Sequence, residues 1–505
     1  MIFKFTRFLT LFFLSQFVVA QQEFLKEATV EKIDSLFNSY HQNDKTGSIM
    51  SIIKNDETVY TNQKGLANVE YQIPITNTTA FNIASNSKQF TTFLALLLEE
   101  EGKLSLNDDI RQHLPELKHL PYRITIKQLT NHTHGLPNSD ELAQLKGAKL
   151  MNHPQVVKML LNTKQVNFKA GDKHEYTNTG YILLSEIIER VGQKPFKEQL
   201  EEKIFTPLGM NHTQAVDYND IVVENKAYSY RQLNGTYIIN PVVLTNIGSS
   251  GIYTTINDLE LWAKNYQKTI VGKQEFYERM QTISVLNSKK ETNYGLGLQH
   301  DKYKGVDVVF HGGGTANYRS YILHAPKHKL SLLFLSNKGG MLGLDVLYKS
   351  MEIILKDFIQ EKKPNKTISN SALKKLEGTY EIFPGNYYTF TAEKENLYVQ
   401  IIGNPEKTLL PLLDKNVFKF PFMPHSKFVF YKDRVDLHLA DMTRPSPRVV
   451  IELPKSEDIN LNDFTGIYKN TAHNTTYELV IKDNNLIAKH NNINYDITLN
   501  PITKN

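Results

Sequence analysis

The chain has 505 residues, of which 40% are hydrophobic and 22% are charged, and its formal net charge is +5 at pH 7. These proportions are typical of a soluble globular protein and argue against general disorder, and the length predicts two or three domains. The sequence has no basic stripe of the kind that binds a nucleic acid. The absence of cysteine excludes disulfides, thiol catalysis and thiolate metal sites.

The N-terminal segment differs in composition from everything after it. Lys4 and Arg7 precede an apolar run from Phe8 to Ala20, and residues 1–20 contain no acid. The run is shorter than the ~20 residues that span a bilayer, and it ends in small residues that suit a signal peptidase. We expect residues 1–20 to be a signal peptide, whose removal leaves a charge of +3 and a periplasmic or secreted protein without a stable membrane span. A retained membrane anchor is the alternative.

The first predicted elements are a β-hairpin and a helix. Apolar and polar residues alternate over 47–70 on both sides of a turn at Asn55-Asp56, which favours a hairpin. From Ser85 the spacing becomes helical, and Gly102 marks the end of the helix. The residues expected on its buried face are Phe90, Phe93, Leu94 and Leu97.

The rest of the region 21–360 returns from helices to strands. Helical segments joined by polar loops, including 180–192, extend from 103 to about 290. Three strand patterns follow in 305–336, and a helix is expected over 344–360. Strands at both ends with helices between them predict an α/β (α+β) fold: an antiparallel sheet flanked by helices, plus a helical subdomain. The crevice between sheet and subdomain is the expected place for a site.

The polar segment 361–372 predicts a linker, and residues 373–505 predict a β-rich domain. This domain contains an internal repeat, because LKKLEGTY and YTFTAEKENLYV are followed later by LNDFTGIY and YELVIKDNNLIA in the same order. Two similar β units favour an antiparallel barrel or sandwich. The second unit is shorter, so the sequence leaves closure of the barrel open.

The pattern Ser-x-x-Lys occurs at Ser51, Ser85 and Ser371, within a predicted strand, at a predicted helix start and in the predicted linker. Only at Ser85 does the three-residue spacing place the lysine, Lys88, over the serine on one helix face. The helix N-terminus adds free N–H groups and positive potential. The alternative is an ordinary serine cap with a solvated lysine.

Two further short motifs follow along the chain. Tyr-x-Asn occurs three times, and only Tyr176-Thr177-Asn178 lies in a loop before a helix of the predicted subdomain. His311-Gly312-Gly313 ends a predicted strand, and Gly314 comes next. Successive glycines allow a second backbone or a substrate to approach closely. Each motif by itself is equally compatible with a turn or a flexible loop.

Together, in this order and on these elements, the three motifs resemble those of the serine β-lactamases, penicillin-binding proteins and related esterases and D-aminopeptidases. The resemblance extends over about 30–355, including FNIASNSKQF, ITIKQLTNHTHGLP, FTPLGMNHT, SSGIYTTINDLELWA and YGLGL. The C-terminal region resembles the lipocalin-like β domain appended to such hydrolases. The family has Thr-Ser-Gly and Pro-Gly where this chain has Thr133-His134-Gly135 and Ala170-Gly171, which bears on substrate shape more than on catalysis.

The resemblance implies an acyl-enzyme mechanism without metal or cofactor. Ser85 is then the nucleophile, with Lys88 and Tyr176 as the two candidates for its base. Asn178 is expected to bind a substrate amide or to orient Lys88. The N–H groups of Ser85 and Gly314 are expected to hold the oxyanion. His311, with Gly312 and Gly313, occupies the place of a lysine motif that in many β-lactamases attracts a substrate carboxylate.

Substrate and activity remain open at this stage. A histidine near pH 7 is mostly neutral, with an ordinary pKa of about 6.5, so His311 offers a hydrogen bond but little charge. This favours D-amino-acid amides, short D-peptides, possible cell-wall fragments among them, or short esters over β-lactams. The alternatives are a β-lactamase and a non-catalytic binding protein that keeps the fold. His132 and His134 resemble metal ligands, but the sequence offers no third one.

Overall fold

The computed structural model describes residues 25–41, 44–146, 150–233, 235–340, 342–360, 368–383, 385–404, 406–420, 426–438, 443–451, 459–470, 475–490 and 497–499. The predicted signal peptide lies outside these ranges. Within them, no helix is both long and apolar enough to cross a membrane.

The helices and strands of the described residues have the following bounds. The helices are α1 (Glu27–Ser39), α2 (Ser87–Glu100), α3 (Ile110–His113), α4 (Ile126–Thr130), α5 (Ser139–Leu145), α6 (His153–Leu161), α7 (Thr179–Gly192), α8 (Phe196–Leu200), α9 (Thr206–Leu208), α10 (Ile256–Lys268), α11 (Gln274–Gln281), α12 (Leu342–Ile354) and α13 (Asn370–Lys374). The strands up to residue 360 are β1 (Ser48–Lys54), β2 (Glu57–Lys64), β3 (Leu66–Asn68), β4 (Ile73–Pro74), β5 (Phe81–Asn82), β6 (Gln214–Ala215), β7 (Tyr230–Leu233), β8 (Thr236–Ile239), β9 (Ile252–Thr254), β10 (Gln299–Tyr303), β11 (Val306–Thr315), β12 (Tyr318–Ala325) and β13 (Leu330–Ser336).

One antiparallel sheet, in the order β10-β11-β12-β13-β1-β2, joins the two ends of this region as predicted. The hairpin turn between β1 and β2 is formed by Asn55 and Asp56 with φ of 50° and 66°, which suits the two-residue turn of a twisted hairpin. Successive residues point to opposite faces. Ile49 and Leu335 therefore pack into the core with α2, α7 and α10, whereas Met50 packs with α1 and α12.

Helix α2 is more central than the sequence predicts. A short 3₁₀ turn, Ala84–Asn86, precedes it, and its residues from Ser87 to Leu96 are all buried rather than one face only. Phe90 stacks on Trp262 with ring centroids 4.2 Å apart. Because both sheet and subdomain pack around α2, the turn at its start is held in place from several sides. The predicted last helix is shorter than expected, since α12 ends at Ile354 and a 3₁₀ turn, Lys356–Phe358, follows.

The C-terminal strands form two sheets. They are β14 (Gly378–Phe383), β15 (Asn386–Glu393), β16 (Asn396–Ile401), β17 (Lys407–Leu410), β18 (Leu412–Asp414), β19 (Val417–Lys419), β20 (Lys427–Phe430), β21 (Arg434–His438), β22 (Thr443–Val449), β23 (Gly466–Asn470), β24 (Thr475–Lys482), β25 (Asn485–His490) and β26 (Ile497–Leu499). The first sheet runs β17-β16-β15-β14-β22-β21-β20-β19-β18. Its two edge strands, β17 and β18, are separated in sequence by Pro411 alone, so the sheet is a nearly closed barrel.

The sequence repeat corresponds to a structural one. The hairpins β15–β16 and β24–β25 turn at equivalent places, with Lys394-Glu395 and Asp483-Asn484 all at positive φ. The second unit does not extend the barrel, because β23–β26 form a separate four-stranded sheet. Of the predicted linker, 361–367 lie outside the described residues. The last residues of the predicted linker belong to helix α13, and Leu373 of this helix is buried in the barrel core.

Candidate active site

Ser85 is presented by a tight turn between β5 and α2. Ala84, just before it, has φ of 47°, which is unfavourable for a residue other than glycine. The Asn82 side chain holds this turn by accepting a hydrogen bond from the Ala84 N–H at 2.8 Å. Between Thr79 and Leu96, Ser85 is the one residue that is not buried. The fold therefore exposes this hydroxyl and buries its neighbours.

Strand β12 and the glycines of β11 hold the same turn from the other side. Ser320 Oγ donates to the Ile83 carbonyl at 2.6 Å and accepts from Asn86 Nδ2 at 2.7 Å. A side chain at Gly313 would place its Cβ 2.1 Å from the Ile83 oxygen. The close approach of β11 to the Ser85 turn thus requires a glycine at this position, as the run of glycines predicted.

Lys88 lies beneath Ser85 with its ammonium nitrogen surrounded by three oxygens. Nζ is 3.0 Å from Ser85 Oγ, 2.8 Å from Asn178 Oδ1 and 3.0 Å from the carbonyl oxygen of Ser249. The amide and carbonyl oxygens can only accept, so two N–H bonds point to them. The third direction, toward Ser85 Oγ, holds a proton when the lysine is charged and a lone pair when it is neutral.

The neutral form of Lys88 is accessible near neutral pH. Burial lowers its pKa from the ordinary 10.5 to about 7, against the Asp140 carboxylate, which raises it. Asp140 Oδ2 also accepts from Asn178 Nδ2 at 2.8 Å, which fixes the amide with its oxygen toward the lysine. Asp140 and Asn178 therefore place and tune Lys88 together. No sequence motif indicated Asp140 or the Ser249 carbonyl.

Tyr176 is partly exposed and lies over Lys88, with Nζ 5.0 Å from its ring centroid. Its ring contacts His132 at a centroid distance of 4.3 Å and lies 6.2 Å from that of Tyr294. His132 is fully buried, and burial with neighbouring His174 keeps its pKa well below the ordinary value. The sequence did not predict that His132 or Tyr294 is a neighbour of Tyr176, although both residues lie in segments that resemble the family.

His311 lies near Tyr176 but differs from the expectation. It is 1% exposed, and burial and the nearby Lys88 lower its pKa to about 3, so the imidazole is neutral at pH 7. Nδ1 is 2.7 Å from the Gly312 carbonyl and therefore carries the hydrogen, and Nε2 accepts from the Tyr294 hydroxyl at 2.9 Å. Both ring nitrogens are engaged within the protein, so His311 supports the strand and does not offer a hydrogen bond to a substrate in this arrangement.

The other two Ser-x-x-Lys serines lie away from Ser85, and His134 makes a contact within the protein. Ser51 lies in β1 and donates to Glu260, and Ser371 lies exposed on α13. His134 Nδ1 accepts from the Leu136 N–H at 2.9 Å. Within the described ranges, no group of three or more histidine or acidic side chains could hold a metal ion. Of the three Ser-x-x-Lys pairs, only that of Ser85 joins Asn178 and the glycines of β11 at one site.

Gly313 and Gly314 provide a matched test of this architecture. Gly313→Ala should displace the Ser85 turn, lowering kcat and costing about 1–3 kcal/mol of stability because the backbone cannot yield. Gly314→Ala, whose nearest contact would be the flexible Arg319 side chain at 3.4 Å, should leave the stability nearly unchanged. Thermal unfolding and ester hydrolysis of the two variants check this. Equal effects at the two glycines would contradict the proposed role of the close approach.

Comparison with known proteins identifies the family. A sequence model of the Beta-lactamase family matches residues 33–347, which contain the entire cluster around Ser85. The chain belongs to this family. The β-lactamase family is one of serine hydrolases, and the match includes all three motifs that carried the resemblance.

Proteins similar in sequence to this chain carry different names. Penicillin-binding protein 4* of Bacillus subtilis is 27% identical over 423 residues, covering 78% of this chain and 92% of that protein. A D-aminopeptidase of Gluconobacter oxydans is 27% identical over 301 residues, covering 58% of this chain and 55% of that protein.

Solved structures share the fold. A penicillin-binding protein homologue from Pyrococcus abyssi, described as octameric, superposes with a TM-score of 0.60 at 22% identity, covering 93% of this chain and all of that one. A D-amino acid amidase from Ochrobactrum anthropi superposes with a TM-score of 0.57 at 20% identity, covering 65% of this chain and 99% of the amidase. At these identities the likeness establishes the fold alone.

Proposed function

We propose that this protein is an exported serine hydrolase that acts through an acyl-enzyme on D-amino-acid amides, short D-peptides or short-chain esters. The observation that carries the proposal is the position of Lys88 Nζ, 3.0 Å from Ser85 Oγ, with a pKa lowered to about 7. A buried lysine that is half neutral near pH 7 can accept a proton from a serine hydroxyl. A binding protein would gain nothing from burying this lysine.

In the proposed reaction, Ser85 Oγ attacks the substrate carbonyl carbon and forms a C–O bond. Its proton moves to the lone pair of Lys88, or to Tyr176, which is the second candidate. The N–H groups of Ser85 and Gly314 hold the developing oxyanion, and Gly314 is exposed at the end of β11 as this role requires. The leaving amine or alcohol departs with a proton. Water then attacks the ester on Ser85, releasing the acid and restoring the hydroxyl.

The substrate class follows from what surrounds the third motif. His311 is neutral and internally bonded, so the site lacks the cation with which a lysine attracts a substrate carboxylate at that position. Relatives named D-aminopeptidase and D-amino acid amidase support amide or peptide substrates of D-configuration. Export is proposed from the predicted signal peptide.

A substrate panel tests this proposal. We expect turnover of D-alanine or D-phenylalanine amide, of D-alanyl dipeptides or of p-nitrophenyl acetate, and slow, persistent acylation by penicillins. The L-configured amides serve as matched controls. Rapid nitrocefin hydrolysis without activity on the other compounds would make this a β-lactamase instead. No turnover of any compound would favour a binding protein.

Asp140→Asn should move the acidic limb of the pH–rate profile to lower pH. The proposed base works when neutral, so the rate rises as pH increases through the pKa of Lys88, about 7. The Asp140 carboxylate raises that pKa, and its removal lowers it further. Glu141→Gln, at the exposed neighbouring residue, is the control. An unchanged limb, or one moved to higher pH, would contradict the assignment of Lys88 as the base.

A further inference from the structure

A cavity of about 360 Å³ adjoins the Ser85 turn and plays no part in the mechanism above. Asn82, which holds Ala84 through its side chain, forms part of its wall. Ser250 forms another part and directly follows Ser249, whose carbonyl binds Lys88. The cavity is therefore lined by one residue that holds the Ser85 turn and by the neighbour of one that binds Lys88.

The walls of this cavity are mostly apolar and aromatic, and they include one cationic residue. Apolar lining residues include Val216, Ile221, Val242, Leu244, Tyr253 and Tyr318. Among the lining residues of the described chain, Lys226 is the only lysine or arginine, and Asp220 is the only acid. Asp220 is exposed, whereas Lys226 is half-buried.

Lys226 lies beside an aromatic ring and forms no ion pair within the described residues. Its Nζ lies 5.2 Å from the ring centroid of Tyr228, and burial lowers its pKa below the ordinary value. Within the described ranges no carboxylate approaches it within the 4.0 Å of an ion pair. Partial burial costs an ammonium group some of its solvation, and a nearby anion offsets that cost. An acidic group inside the cavity would supply the missing partner.

We propose that this cavity receives a carboxylate of the acyl donor and that Lys226 pairs with it, so that the enzyme selects D-amino-acid derivatives with an acidic side chain. This inference rests on the proposed hydrolase function. It also accounts for the neutral His311, because the positive charge that recognises substrate lies on the side of Lys226 instead of at the third motif. The apolar walls would hold the methylene groups between carboxylate and scissile bond.

The test compares the α-p-nitroanilides of D-glutamate and D-glutamine, which differ only in charge. Hydrogen bonds to charged groups predict a roughly tenfold to hundredfold higher kcat/KM for the glutamate compound. Lys226→Met should abolish this preference, and Lys226→Arg should keep it. Lys268→Met, which removes a cation from the exposed end of α10, should also keep it and so controls for net charge. An unaltered preference in Lys226→Met, or none in the unmodified enzyme, would overturn the inference.

A binding experiment separates this inference from the hydrolase proposal. The substrate panel above decides the proposed function. If the unmodified protein hydrolyses neither anilide, calorimetric binding of the α-amides of D-glutamate and D-glutamine to the full-length protein decides the carboxylate site. Tighter binding of the glutamate amide, lost in Lys226→Met, would support the carboxylate site. Equal binding of the two amides, or binding unaffected by Lys226→Met, would overturn it.

Discussion

Ser85→Ala is expected to lower kcat by at least about three orders of magnitude while leaving the thermal midpoint nearly unchanged. The hydroxyl is the only atom lost, and no buried partner depends on it except Lys88, which keeps its contacts to Asn178 and Ser249. The strained φ of Ala84 and the packing of α2 are unaffected. Steady-state hydrolysis of the best panel substrate, together with calorimetric melting, measures both quantities.

Ser371→Ala is the matched control, because Ser371 begins another Ser-x-x-Lys pair that lies exposed on α13. Its activity should equal that of the unmodified protein. Residual turnover within about tenfold of normal in Ser85→Ala would exclude Ser85 as the nucleophile, since removal of a true nucleophile costs far more.

Lys88→Met should lower kcat by a comparable factor with a much smaller effect on KM. The methionine fills a similar volume but cannot take the serine proton. Lys88→Arg should not restore activity, because a guanidinium stays protonated. Lys374→Met, the second half of the exposed pair on α13, is the control and should be inert. If Lys88→Met keeps most of its activity, the proton must go elsewhere, and Tyr176 becomes the base.

The coupling between Lys88 and Tyr176 can be measured in the same series. If the two residues share one proton path, the loss in the double variant Lys88→Met/Tyr176→Phe should be far smaller than the product of the single losses. Losses that simply multiply would show that the residues act independently.

The buried lysine also leaves a mark on stability. In the folded protein its pKa is about 7, below the ordinary 10.5 of the unfolded chain, so between these values the unfolded state binds more protons. Because of Lys88, the free energy of unfolding therefore increases as the pH rises from about 7 to 10.5. Below pH 7 the lysine is protonated in both states, and its burial then destabilises the folded protein by the full amount. Lys88→Met should show a flatter pH dependence of unfolding in urea than the unmodified protein.

Local patterns predicted the main features of the fold and the motif residues of the site. Alternation predicted β1–β2 and the strands β11–β13, and helical spacing predicted α2 and α7. The three-residue spacing of Ser85 and Lys88 also placed their side chains together, because so short a spacing spans only the 3₁₀ turn and the start of α2. Their roles in catalysis stay predictions until they are measured.

Other features depend on contacts between distant parts of the chain, which periodicity does not report. Asp140 is linked to Lys88 by hydrogen bonds through Asn178, and the Ser249 carbonyl contacts Lys88 because the chain returns beside α2. The sequence predicted that His311 could bind a substrate, because it does not show that the Tyr294 hydroxyl donates to the Nε2 of this histidine. The division of the C-terminal strands into two sheets could not be predicted either, since two similar repeats in a sequence can form one sheet or two.

Covalent labelling with a fluorophosphonate, followed by peptide mass spectrometry, tests the identity of the nucleophile most directly. The reagent reacts with an activated serine and requires no knowledge of the natural substrate. We predict one adduct, on Ser85, absent in Ser85→Ala and strongly reduced in Lys88→Met. An adduct on another serine with Ser85 unmodified, or equal labelling of Ser85→Ala, would contradict the account.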